Sequence, residues 1–185
     1  MLQSLTSNED LIVLTGTEVR AQGGALAEIL IACVNGGASV SFMAPLAPDK
    51  ADAFWHSVAD SVEMGERLLV VAKDRHRGRV VGTVQILLKQ PENQPHRADV
   101  SKMLVHPDAR RRGIGSQLLR FAEHAALSAD RTVLVLDTAT GSDAERLYER
   151  LGWIRVGRIP DYALSPEGQL CSTTIFYKRL QRAAD

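Results

Sequence analysis

Cysteine is scarce: Cys33 and Cys171 are the only two in 185 residues. Two thiols cannot build a disulfide framework, and these lack the spacing of a metal site. A reducing cytoplasm is the expected home. Charge of one sign is missing too. Lysine and arginine total 22, as do aspartate and glutamate, so no global field draws the chain to nucleic acid or an anionic membrane. Any anion site has to be local. No apolar run is long enough to cross a bilayer. The opening MLQSLTSNED has neither the basic nor the apolar region of a signal peptide. Histidines at 56, 76, 96, 106 and 124 have no i,i+4 pairing and no cysteine companions, so no metal is expected. No repeat or Ser/Gly linker divides the chain, and 1–185 reads as one domain.

What is present alternates between helical and extended patterns. LIVLT (11–15) reads as a strand, and a helix is expected near Val19–Val34 with Leu26, Ile29, Leu30 and Cys33 inward. Glycines in NGGASVSFM (35–43) end it. Asp49 is expected to cap a second helix carrying Phe54, Trp55, Val58 and Val62. RLLVVAK (67–73) and RVVGTVQILLK (79–89) flank a charged turn as a hairpin, and ADVSKMLV (98–105) is a further strand. Residues 113–129 form an amphipathic helix with Ile114, Leu118, Ala122 and Ala125 on one face. RTVLVLDT (131–138) reads as a strand covered on both faces. Ser142 and Glu145 form a capping box for the next helix, which Gly152 stops. Strands at 153–159 and 171–180 close the chain, separated by a loop. The expected fold is α/β (mixed α+β): a central twisted mixed sheet of about six or seven strands flanked by about four helices.

RRRGIGSQLL (110–119) sets three arginines before two glycines at a helix entrance. A helix N-terminus leaves unpaired N–H groups and a partial positive charge, which suits a phosphate. Gly113 and Gly115 permit close approach to the backbone. Arg110, Arg111 and Arg112 add charge and bidentate contacts, although cations there oppose the helix dipole unless an anion binds. A solvated basic loop is the competing reading. A P-loop is excluded because Ser116-Gln117 follows Gly115 where Lys-Ser/Thr is needed. The dinucleotide fingerprint is excluded by Leu118 at its third small position.

MLVHPDARRRGIGSQLLRFAEHAA, followed by LDTATGSDAERLYERLGW, resembles the GNAT superfamily of acyl-CoA-dependent N-acetyltransferases. The likeness covers most of residues 67–180. More narrowly, NGGASVSFM, LDT…GS and VGRIPDYALSPEGQL resemble the tabtoxin-resistance acetyltransferases. The resemblance implies acetyl-CoA as cosubstrate, with its pantetheine along Met103, Leu104 and Val105. Its pyrophosphate would sit on Arg110, Arg111, Arg112, Gly113, Ile114, Gly115 and Ser116. Gly141 stands where many members have an asparagine that contacts CoA, and Ser142 is a possible substitute.

The resemblance implies direct acetyl transfer to an amine. Neither cysteine sits in an activating context. Leu104 is the expected backbone donor to the thioester carbonyl. Tyr148 matches the family's general acid, since a phenol with a pKa near 10 is protonated at neutral pH. It also shares an apolar stripe with Ala144, Leu147 and Leu151, so a core role stays open. Asp99 and Asp137 are the candidate bases, against readings as a partner of Arg97 and a turn cap. Walls for the acceptor are expected from GGASVSFM (36–43) and PDYALSPEGQ (160–169). The expected acceptor is a small amine, such as an amino-acid-like antibiotic or toxin. A protein or peptide N-terminus, or a non-catalytic acyl-CoA sensor, are the alternatives. The resemblance also allows a homodimer.

Overall fold

The computed structural model describes residues 9–181. Residues 1–8, which carry most of the segment read as lacking a signal peptide, lie outside them. Helices α1 (Gly16–Ala21), α2 (Gly23–Asn35) and α3 (Pro48–Glu63) follow strand β1 (Glu9–Leu14). Strands β2 (Arg67–Asp74), β3 (Val80–Leu87) and β4 (Arg97–Val105) come next. Then follow α4 (Ile114–Ser128), β5 (Val133–Ala139), α5 (Asp143–Arg150), β6 (Ile154–Leu164) and β7 (Leu170–Arg179). The described residues form one mixed α/β domain whose seven-stranded sheet has the order β1-β2-β3-β4-β5-β7-β6.

Three local expectations change. The helix expected from Val19 to Val34 is two, because Gln22 (φ −97°, ψ 7°) leaves the helical region. Gly16 opens α1 where a Cβ would lie 2.8 Å from the Ala59 carbonyl oxygen, so only glycine lets α1 seat on α3. Helix α3 starts from Ala47 without a side-chain cap; Pro48 occupies its first turn, and Asp49 lies within the helix. The loop expected at 160–170 is mostly strand: β6 runs to Leu164, and the turn closes where the Ser165 N–H donates to the Gln169 carbonyl at 2.7 Å.

Two cores sandwich the sheet. Leu14, Leu26, Ile29, Leu30, Trp55 and Leu69 belong to the core beneath α1–α3. Val84, Ile86, Leu118, Leu119, Leu134 and Phe176 belong to the core beneath α4 and α5. Because α1–α3 pack on the β1–β4 half, β5 is not covered on both faces as its apolar run suggests. Leu134 and Leu136 are buried, Val133 and Val135 only half-buried, and Asp137 exposed.

The feature that creates a site is the seam between β4 and β5. These parallel strands pair only at Arg97–Val133, Ala98–Leu134 and Asp99–Val135. On its other edge β4 carries an extra residue, since Thr83 pairs with Leu104 but Gln85 pairs with Ser101. Lys102 occupies this bulge at φ 49°, and the Thr83 hydroxyl donates to its carbonyl at 3.0 Å. Beyond the bulge the two strands diverge.

Candidate active site

A cleft of about 540 Å³ opens where β4 and β5 part. Its floor is β4 from Val100 to Val105; α2 and the following loop supply Cys33 and Gly36–Val40, and the α4 entrance supplies Arg110, Arg111 and Gly113–Ser116. Asp137, Ser142 and Tyr148 come from β5, the β5–α5 turn and α5.

The ladder decides which β4 amides are available. The His106 N–H donates to the Val81 carbonyl at 2.9 Å. Alternate residues of an antiparallel strand face the same neighbour, so Leu104 faces Thr83. Its amide therefore points away from the cleft, and the expected donor role cannot be its own. The amides of Met103 and Val105 face the split instead. The Val105 carbonyl confirms this direction, accepting from Cys33 Sγ at 3.4 Å and Arg110 Nε at 3.3 Å, both outside the sheet. Burial pushes the Cys33 thiol up, against the pull of Arg110, which suits a packed thiol and not a nucleophile.

The α4 entrance is built to leave its amides free. Gly113 is the N-cap at φ 79° and offers no side chain to the first turn. Gly115 is glycine for a different reason: a Cβ there would lie 3.1 Å from Leu147 Cδ2. Arg110 and Arg111 line the cleft, but Arg112 turns back to donate to the Asp108 carbonyl at 2.8 Å and is not among the lining residues. Arg146 and Arg150, one helical turn apart on α5, line the cleft in its place. Asp143 reports the strength of this field. A hydrogen bond from Arg146, then the charges of Arg146, Arg111 and Arg110, hold its carboxyl below the usual range.

Tyr148 is 5% exposed, with its ring centroid 5.8 Å from that of Trp153 and 6.0 Å from that of Phe176. The core and cleft readings both hold: the ring packs inward while the residue lines the cleft. Burial, then the charge of Asp137, push the phenol well above its usual value, so it keeps its proton. Asp137 accepts from the Thr173 hydroxyl at 2.9 Å through one carboxylate oxygen. Asp99 lies outside the lining; Arg97 donates to one of its oxygens and Gln90 Nε2 to the other at 3.0 Å.

Helix α5 is held by a modified cap. Ser142 Oγ accepts from the Glu145 N–H at 3.1 Å. The Glu145 carboxylate does not return to the Ser142 amide as a capping box requires. It accepts from the Gly141 N–H, at a left-handed residue (φ 81°), and from the Thr174 hydroxyl at 2.7 Å. This buried carboxylate ties the start of α5 to β7 and so fixes where Tyr148 stands. Burial alone would raise its pKa, but those hydrogen bonds and the charges of Arg155 and Arg146 hold it low.

Sequence reading missed Lys102, Arg146, Arg150 and Glu145 as site residues. The i,i+4 spacing of Arg146 and Arg150 was a visible signal; nothing local marks Lys102. Of the two expected acceptor walls, Gly36–Val40 line the cleft and 160–169 do not. The second braces the first: the Ala44 N–H donates to the Pro166 carbonyl at 3.0 Å. Among the described residues, no group of three or more His, Cys, Asp and Glu side chains could hold a metal ion. No helix among them is long and apolar enough to cross a membrane.

The split sheet, the basic helix entrance and the buried phenol meet in one cleft. Residues 65–155 match the family model described as an acetyltransferase (GNAT) domain. N-alpha-acetyltransferase 30 of Xenopus laevis is 33% identical over 86 residues, which are 46% of this chain and 32% of that relative. The chain thus spans about a third of that relative's length. The solved structure of yncA from Salmonella typhimurium, assigned as an acetyltransferase and holding its cofactor acetyl-CoA, has a TM-score of 0.77 at 19% identity, over 97% of this chain and 98% of that one. An N-acetyltransferase from Staphylococcus aureus Mu50 has a TM-score of 0.77 at 17% identity, over 95% and 100% of the two chains. These likenesses establish the GNAT fold over nearly the whole chain.

Proposed function

We propose that the protein transfers an acetyl group from acetyl-CoA to a small amine, of the amino-acid-like kind met in antibiotic and toxin resistance. One observation carries the proposal: a single cleft gathers the free β4 edge, the uncapped α4 entrance, Tyr148 and Asp137. Pantetheine amides pair with Met103 and Val105, extending β4 as a strand would. The pyrophosphate lies on the Gly113–Ser116 amides, with Arg110 and Arg111 neutralising its charge. The Met103 N–H polarises the thioester carbonyl.

The amine nitrogen attacks the thioester carbon, and the C–S bond breaks as the C–N bond forms. Asp137 accepts the amine proton directly or through water, and Tyr148 donates to the departing sulfur. Because its pKa is raised, the phenol stabilises the thiolate by hydrogen bonding at least as much as by full proton transfer. Asp99, with both oxygens engaged, is assigned a supporting electrostatic role. Ser142 takes the place of the missing asparagine beside CoA.

The brace between the loop after α2 and the β6–β7 turn supports a small acceptor, since it holds in place the segment whose Gly36–Val40 line the cleft. The Xenopus relative's name favours a protein N-terminus as the second reading. Exposed Ile154, Val156, Tyr162 and Leu164 on edge strand β6 support a homodimer. Free thiols at Cys33 and Cys171 fit a cytoplasmic setting.

Thiol release from acetyl-CoA tests the proposal against a panel of amino acids, amino-acid-like β-lactams and peptides. Turnover on small amines is expected, and Tyr148→Phe should lower kcat by about 10²-fold or more with little change in acetyl-CoA affinity. Tight acetyl-CoA binding without turnover on any amine would replace the enzyme with a sensor.

A further inference from the structure

Lys102 is a cation that no carboxylate meets at contact distance, although the charge of Asp137 reaches it. It lies half-buried in the cleft wall at the β4 bulge, and its Nζ donates to Ser41 Oγ at 3.1 Å. Its ammonium lies 6.0 Å from the Phe42 ring centroid and 5.8 Å from that of Phe54. Among the described residues no carboxylate comes within ion-pair distance of it. The charge of a second cation, Arg67, also acts on it, although Arg67 does not line the cleft. Arg67 donates to Gln85 Oε1 at 2.6 Å, while its buried Nε and the buried Nε2 of Gln85 have no partner. Burial, then the charge of Arg67, hold the Lys102 ammonium below its usual value, and Asp137 opposes them.

Two neighbouring cations with unspent donors are unfavourable in a half-buried setting unless an anion reaches them. Aromatic faces soften that cost without cancelling it. The reacting end of the cleft is close by, since Lys102, Asp137 and Tyr148 line the same cleft. A molecule with its amine at Asp137 therefore has Lys102 within reach of a second group.

We propose that Lys102, backed by Arg67, binds a carboxylate of the acceptor, so that the substrate class is an amine bearing a carboxylate a few bonds away. This rests on the acetyltransferase reading and narrows it. Such a point also disfavours acceptors whose carboxyl is already in an amide bond, as in the N-terminal residue of a peptide.

The test pairs each α-amino acid with its carboxamide. In turnover, the wild-type protein should favour the acids by about tenfold or more in kcat/KM. Lys102→Met should collapse that ratio toward one, and Lys102→Arg should retain most of it. A binding arm uses N-acetyl-amino acids and their N-acetyl carboxamides on the CoA-loaded protein, where no turnover is needed. The same preference is expected, with the same dependence on Lys102. Equal use and equal binding of acid and amide, or a preference that survives Lys102→Met, overturns the carboxylate site. Binding preference without turnover overturns the acetyltransferase reading and leaves the carboxylate site standing. Turnover without preference does the reverse.

Discussion

The two ends of the cleft are built by different means. At the α4 entrance the recognising groups are backbone amides, set by Gly113 at φ 79° and reinforced by Arg110 and Arg111. At the proposed acceptor end they are side chains, Lys102 and Asp137, with Ser41 accepting from the lysine, brought together from three segments far apart in sequence. The first end depends on a contiguous turn and tolerates little beyond its glycine pattern. The second depends on a strand bulge and on the seam opening after Asp99–Val135. A change at one end should therefore separate cofactor binding from acceptor chemistry.

Asp137→Asn breaks the comparison most sharply. It should lower the chemical rate by about 10²- to 10⁴-fold and leave acetyl-CoA affinity within a factor of about two, as read by stopped-flow turnover and titration calorimetry. The mirror-image change is Arg110→Ala with Arg111→Ala. Acetyl-CoA affinity should fall by about 10- to 100-fold, with a weaker salt dependence, while the rate at saturation changes far less.

Glu145→Gln tests the strut that ties the start of α5 to β7. Loss of the charge-assisted bonds to Gly141 and Thr174 should cost about 1–2 kcal/mol at neutral pH, measured by denaturant unfolding. A carboxyl with a lowered folded pKa stabilises above its unfolded value and loses that contribution as pH falls. The gap between variant and wild type should thus shrink below the ordinary glutamate value of 4.5. The smallest effect is expected from Gly141→Asn. Asparagine tolerates the left-handed region, and no atom lies within 4 Å of the position its Cβ would take. Acetyl-CoA affinity should rise by about two- to fivefold, measured by titration calorimetry.

How much the chain announces in its sequence follows the same division. The proposed cofactor end is contiguous, so RRRGIGSQ offers the anion-site reading without any tertiary information. Arg112 is the exception, because the turn at Arg111 (φ 63°) sends the next side chain back to Asp108. The amide register along β4 was not readable: one extra residue at Lys102 decides whether Leu104 or its neighbours face the split, and strand patterns do not reveal bulges. The partial exposure of β5 was equally hidden, since it depends on where α1–α3 stop. Nothing in the sequence around Lys102 sets it apart from any other lysine on a strand. Only the left-handed backbone at that position turns it toward Ser41 and Phe42. Tyr148 and the α4 face were legible because helical spacing states which side is buried.

A crystal structure with acetyl-CoA tests the central claim most directly. The diphosphate should lie within hydrogen-bond reach of the Gly113–Ser116 amides, and the pantetheine should pair with Met103 and Val105. A cofactor seated elsewhere, or one whose amides pair with Leu104, would contradict it.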